Sequence, residues 1–246
     1  MALMSASRAE RPVLGRLVPL LAGVLLLAGC AEFPPAPAPV AVVAAPRLAA
    51  GDRWVYAQIN PYNHILLRTL TDTLETAPRG FTLVRQSDRK REPQRRRVVP
   101  APWQLAAESG PLPRRFDPAL VEIPFPLHPG SSWHQSVRVT DAGGRTYTWL
   151  TVGTALGWER VATPAGSFVA LKIVLQMNLN DSNATWGDTQ VFETLWYAPE
   201  VGRWVRRELR TERVEHACIP RVERDWKLWE LTAYRLREST RAAGTH

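Results

Sequence analysis

Val169-Ala170-Leu171-Lys172-Ile173-Val174-Leu175-Gln176-Met177-Asn178-Leu179 alternates with a period of two over eleven residues. Val169, Leu171, Ile173, Leu175, Met177 and Leu179 share one face, and Ala170, Lys172, Val174, Gln176 and Asn178 share the other. A helix would repeat its apolar positions every three or four residues, so this spacing predicts a half-buried strand. The turn-rich Asn180-Asp181-Ser182-Asn183 follows, and strand-like sequence resumes near 189–197. The two segments are predicted to pair as a hairpin.

The same period continues outward. In 204–214, Val205, Leu209 and Thr211 share a face with Arg207 and Arg213, and Arg206, Glu208, Arg210 and Glu212 occupy the opposite one. Opposite charges on one face fit an antiparallel sheet with a solvated side. A closing strand is expected at 229–236, and the chain after Glu238 is expected to fray. Gly51-Asp52-Arg53-Trp54 and Gly130-Ser131-Ser132-Trp133 echo one another, each placing Trp three residues after Gly, with Gly202-Arg203-Trp204 as a shorter variant. Ten tryptophans are many for 246 residues, and each buries a large area. They are expected in the core.

Two stretches break the pattern. Arg89, Lys90, Arg91, Arg95, Arg96 and Arg97 crowd into ten residues. The segment 100–129 then carries eight prolines, which suggests a long strap with little regular structure, pegged by Trp103, Phe116 and Phe125. The fold class expected is all-β: an antiparallel meander forming a curved sheet, a sandwich or a partly open barrel, with a long Pro-rich strap.

The N-terminus is of another kind. Arg8, Arg11 and Arg16 precede an apolar run, 17–27, which is too short to span a bilayer as a helix. The run fits an export signal and ends in Leu27-Ala28-Gly29-Cys30. These four residues resemble the bacterial lipobox. The resemblance implies cleavage between Gly29 and Cys30 and a diacylglycerol on the Cys30 thiol, with palmitate-like chains anchoring the protein. Ala31, rather than Asp, follows the cysteine, which by analogy with enterobacterial sorting implies the outer membrane, facing the periplasm. The domains expected are a signal peptide over 1–29, the acylated Cys30 with a Pro/Ala-rich linker over 30–46, one extracytoplasmic domain over 47–238 and a frayed tail over 239–246. Pro34, Pro35, Pro37, Pro39 and Pro46 favour polyproline II geometry, so the linker is expected as a semi-rigid spacer of about 50 Å. With Cys30 acylated, Cys218 has no intramolecular partner and no internal disulfide is expected.

Val161-Ala162-Thr163-Pro164-Ala165-Gly166-Ser167-Phe168 and Leu195-Trp196-Tyr197-Ala198-Pro199-Glu200-Val201-Gly202 are similar to segments of TapB-like and related secreted β-sheet domains. The likeness covers roughly residues 130 to 214. It implies an antiparallel fold outside the cytoplasm and transfers no catalytic residue. Pro164-Ala165-Gly166 reads as a hairpin turn in which Gly takes a positive φ, and Ala198-Pro199-Glu200-Val201-Gly202 reads as a second turn between strands.

No catalytic constellation is legible. The nucleophile turn G-x-S-x-G does not occur. Ser131, Ser132 and His134 lie together, but neighbours on a strand face opposite ways. The five histidines, His64, His128, His134, His216 and His246, show no zinc spacing, and His216-Ala217-Cys218 lacks a second ligand pair. Asp181, Asn183, Thr185, Gly187 and Asp188 fit a turn better than a calcium loop, because the glycine falls late and the distal Glu is missing. No enzyme, metal or cofactor is expected.

The net charge is +8, and +6 once 1–29 is removed, which favours anionic partners. The function expected is a membrane-anchored envelope lipoprotein that binds a protein or an anionic polymer, such as lipopolysaccharide or a cell-wall polymer, through Arg89, Lys90, Arg91, Arg95, Arg96 and Arg97. Nucleic acid is not expected outside the cytoplasm. The alternative is a carrier of lipid or another hydrophobic ligand in an apolar pocket of the curved sheet.

Overall fold

The structure, a computed structural model, describes residues 33–180, 189–215 and 221–237. Twelve strands run through them: β1 (Arg53–Ile59), β2 (Leu66–Thr76), β3 (Phe81–Ser87), β4 (Arg95–Val99), β5 (Gln104–Ser109), β6 (Arg114–Val121), β7 (Ser132–Asp141), β8 (Thr146–Thr163), β9 (Gly166–Asn180), β10 (Thr189–Ala198), β11 (Arg203–Glu215) and β12 (Arg221–Arg235). Each strand pairs antiparallel with the next, and β1 also pairs with β12, so the meander closes into a barrel. Closure through β1 and β12, with Trp54 opposite Tyr234 and Gln58 opposite Trp229, selects one of the architectures that the sequence allowed.

The alternation read from the sequence is the inside and outside of this wall. Leu171, Ile173, Leu175 and Met177 on β9 are buried, and Leu175 lies opposite both Gly153 on β8 and Glu193 on β10. Each such aliphatic side chain contributes about 1.5–3 kcal/mol on burial. On β11 the face carrying Arg207, Leu209 and Thr211 turns inward, and Arg206, Glu208 and Arg210 turn outward, as the period of two required. The outer wall carries ion pairs such as Arg96 with Glu75 and Arg206 with Glu230.

The Pro-rich stretch departs from expectation. It supplies β5 and β6 to the wall instead of a loose strap. Seven of its prolines fall between strands, and Pro118 sits in β6 where the register to β5 has shifted and the ladder to β7 has ended at Asp117. A missing N–H costs little there. Trp103 and Phe125 meet Tyr197 at centroid distances of 5.8 and 5.5 Å, and Phe116 meets Trp149 at 5.7 Å.

The segment 33–46 also departs from expectation. It is docked on the barrel rather than held out as a spacer. Phe33 packs edge-on against Trp196 with centroids 5.5 Å apart, Pro35 bridges to Glu159, and Val43 bridges to Leu127. Val43 is only 2% exposed. The prolines keep the segment extended, and its few apolar side chains gain more by covering the barrel than by standing in water. Phe33–His246 accordingly forms one compact unit, which begins well before residue 47.

The antiparallel order gives the barrel two ends. The connections 77–80, 100–103, 122–131, 164–165 and 199–202 lie at one end. The connections 60–65, 88–94, 110–113 and 142–145 lie at the other, called here the mouth. Trp103, Phe125, Tyr197, Ile123 and Leu127 plug the first end. Gly166 and Gly202, in the two turns predicted there, have φ of +135° and +66°.

Candidate functional site

Eight inward-facing strands just fill a barrel, and twelve enclose more space. Two devices fill it here. Towards the plugged end, Trp54, Tyr56 and Trp204 pack together, with the Tyr56 and Trp204 rings stacked at 3.7 Å. Across the middle, long arginines reach carboxylates. Arg85 on β3 donates to Asp72 Oδ1 at 2.6 Å and Oδ2 at 2.8 Å, and Arg203 on β11 donates to the same Oδ2 at 3.0 Å. Arg97 donates to Glu122 at 2.6 Å, and Arg207 Nε lies 2.8 Å from Glu193. Burial would raise the Asp72 carboxyl, but Arg85 and Arg203 outweigh it and hold the group below its ordinary value. Glu122 is likewise lowered against its burial by Arg97. Glu193 is pushed up, because its burial exceeds the help from Arg207.

Between these layers a cavity of about 40 Å³ remains, lined by Trp54, Leu83, Arg97, Glu122, Glu193 and Arg203 among others. It has room for a few waters and none for an acyl chain. The apolar concavity that a lipid carrier needs is therefore filled by side chains in this half of the barrel.

The mouth is different. A hollow of about 200 Å³ opens among Gln58, Arg68, Leu70, Arg85, Ser87, Glu92, Pro93, Arg95, Arg207, Leu209, Lys227 and Trp229. Five cationic side chains and one carboxylate line it. Arg68 pairs with Glu92 at 2.5 Å, and Lys227 pairs with Asp225 on the rim. Arg95 has no carboxylate within ion-pair distance among the described residues. Across the mouth a second hollow, of about 360 Å³, is lined by Leu112, Arg114, Asp141, Arg145, Tyr147 and Arg213 among others.

The basic segment 89–97 divides into three parts. Arg89, Lys90 and Arg91 lie exposed on the turn between β3 and β4, beside the mouth, and Arg89 donates to Leu67 O at 2.7 Å. Arg95 and Arg97 point inward, the first to the mouth and the second to the central ion pairs. Arg96 points outward to Glu75. Tyr62, Ile65, Leu66 and Leu67 are exposed at the same end. Sequence inspection missed Arg68, Arg85, Arg207 and Lys227 as mouth residues. The one available signal was Arg207 lying in phase with Leu209.

Cys30, Gly29, Cys218, His216 and the 181–188 turn lie outside the described residues. Ser132 and His134 point to the outer face of β7, and Ser132 Oγ lies 3.2 Å from Thr154 Oγ1. Among the described residues, no three His, Cys, Asp or Glu side chains are grouped to hold a metal ion.

No protein-family model and no curated protein matches the chain. Two solved structures are similar to it. A protein assigned as exported, with a YmcC-like fold, from Bacteroides fragilis aligns at 15% identity and a TM-score of 0.47, covering 79% of this chain and 100% of that one. A protein assigned as a lipoprotein from Parabacteroides distasonis aligns at 13% identity and a TM-score of 0.39, covering 78% and 99%.

Proposed function

We propose that this chain is a bacterial envelope lipoprotein, acylated on Cys30, whose barrel binds an anionic envelope polymer and performs no chemistry of its own. The observation that carries the binding role is the polarity of the barrel. One end is plugged by aromatic and aliphatic side chains, and the other, among the described residues, is open, cationic and flanked by the exposed Arg89, Lys90 and Arg91. Positive charge concentrated in a cleft attracts and retains polyanions.

Leu27-Ala28-Gly29-Cys30 supports the anchor, and Ala31 supports placement at the outer membrane. Phe33 lies three positions after Cys30, a reach of at most about 11 Å. Phe33 sits on Trp196 and Arg206, in the half of the wall away from the mouth.

Two measurements test the proposal. Palmitate labelling in cells should mark the wild type and not Cys30→Ala, and label retained in the variant would overturn the anchor. Envelope polymers crosslinked to the protein in intact cells should be rich in carboxylate or phosphate. Their yield should fall at least fivefold when Arg89, Lys90 and Arg91 are all changed to Glu. An unchanged yield would remove the binding role from the mouth.

A further inference from the structure

We infer that the 200 Å³ hollow between β2, β3, β4, β11 and β12 is a binding site for a single acceptor-only anionic group, a carboxylate or a phosphate on a sugar, with Arg95 as its principal ligand and the Trp229 side chain on its wall. This deepens the envelope-polymer reading and rests on it, naming where one charged unit of the polymer would seat.

Three observations converge on the hollow. The first is unspent positive charge. Arg68, Arg85, Arg207 and Lys227 each have a carboxylate partner, yet Asp72 must serve both Arg85 and Arg203. Arg95, an exposed residue, faces the same space with no such partner among the described residues. Desolvation and the charge of Arg85 push its guanidinium below its ordinary value, Glu108 opposes this, and Arg68 and Arg114 add to it. Cations outweigh the one nearby carboxylate, and a bound anion would relieve the imbalance.

The second is an excess of donors. The hollow already holds more donors than acceptors, and a neutral hydroxyl ligand would add a donor to them. An ionised oxygen pair only accepts.

The third is a built scaffold. The stem of Arg95 lies over Gly110 in the β5–β6 turn, where an added Cβ would come within 3.1 Å of Arg95 Cγ. A guanidinium presents its donors as a planar fork matched to carboxylate and phosphate oxygens. The volume is several times the ~30 Å³ that one water occupies in the liquid, enough for a charged substituent and its nearest waters. Leu70, Leu209 and the Trp229 ring supply an apolar floor.

The test uses the full-length protein in detergent micelles. Calorimetric titrations with digalacturonate and with glucose 6-phosphate supply the two anion chemistries, and maltose is the uncharged control. The Trp229 indole ¹H–¹⁵N resonance, assigned through Trp229→Phe, gives a local readout. At least one anion should bind saturably and shift that resonance, and maltose should not. Whichever anion binds identifies carboxylate or phosphate as the unit recognised. Arg95→Glu should weaken binding at least tenfold. Arg138→Glu, an equal charge change on the outer face of β7, should weaken it less than twofold. Equal losses in the two variants would show only nonspecific attraction and overturn the site, as would an unmoved Trp229 resonance or no saturable binding by either anion. Palmitate labelling and polymer crosslinking are independent of these titrations, so failure here leaves the lipoprotein reading standing.

Discussion

Asp72 and Arg85 meet inside the barrel through two parallel hydrogen bonds, Nε to Oδ1 at 2.6 Å and Nη2 to Oδ2 at 2.8 Å. Asp72 is fully buried and also accepts from Arg203, so one carboxylate ties β2 to both β3 and β11. Removing one partner of such a pair leaves the other charge buried and uncompensated. Asp72→Asn is expected to lower stability by about 3–5 kcal/mol, read from denaturant midpoints. Because the folded Asp72 value is lowered, its contribution is present above the unfolded value and is lost as pH falls through the folded one. The gap between wild type and variant should be full at neutral pH and close below about pH 4. A gap that persists unchanged in acid would refute the ion-pair account.

Glu193 carries the opposite sign. Burial pushes its carboxyl above the ordinary value, Arg207 opposes this, and Glu122 reinforces it. Folding then favours the protonated form, so the contribution is present below the unfolded value near 4.3 and is lost as pH rises through the higher folded value. Gln can still accept a hydrogen bond from Arg207 and does not titrate. Glu193→Gln should therefore gain stability relative to wild type as pH rises from about 4 to 8. Unfolding curves at several pH values check this, and a difference that stays flat would count against it.

These central pairs show where the sequence was readable. β9 and β11 were legible because one face is dry and the other wet. Arg207, in phase with Leu209, was a visible sign that cations point inward. Glu193 carried the same sign, lying in phase with Val191 and Leu195, but an isolated Glu in a strand ordinarily reads as solvated. Arg95, Arg96 and Arg97 hid their alternation because consecutive like charges have no visible period. Whether Arg97 meets Glu122 depends on β5 and β6 being strands, and the prolines concealed them. Closure of β1 onto β12 is a long-range event that no local pattern encodes.

Gly153 and Trp133 test the packing of the β7–β8 pair. They lie directly opposite one another, and a Cβ on Gly153 would fall 2.2 Å from Trp133 Cε2. The indole occupies the space that a side chain would need. Gly153→Ala is expected to cost about 1–3 kcal/mol, measured by thermal or denaturant unfolding. Adding Trp133→Leu should recover part of this loss, giving a coupling energy of at least about 0.5 kcal/mol in the double-mutant cycle. Strict additivity would show that the two side chains do not compete.

Val43 tests whether the N-terminal segment belongs to the barrel. It is 2% exposed and exchanges two backbone hydrogen bonds with Leu127, at 2.7 and 3.0 Å. Ahead of it, Phe33 on the outer wall, Pro34, whose carbonyl accepts from Arg160 N–H at 2.9 Å, and Ala36, whose N–H donates to Trp158 O at 2.9 Å, fasten the start of the segment. A charge at position 43 would have to stay in water, because burying it unpaired costs several kcal/mol. Val43→Asp should therefore release 36–46 while the twelve-stranded wall remains closed, since no wall strand includes this segment. Amide exchange at Ala36 and Val43 should accelerate by at least tenfold, and exchange at Ile173 and Leu175 should change far less. If the whole barrel exchanges faster together, the segment is part of one cooperative unit with the wall. If Val43 stays protected, it is not the fastener, and the hold must come from the contacts of Phe33, Pro34 and Ala36.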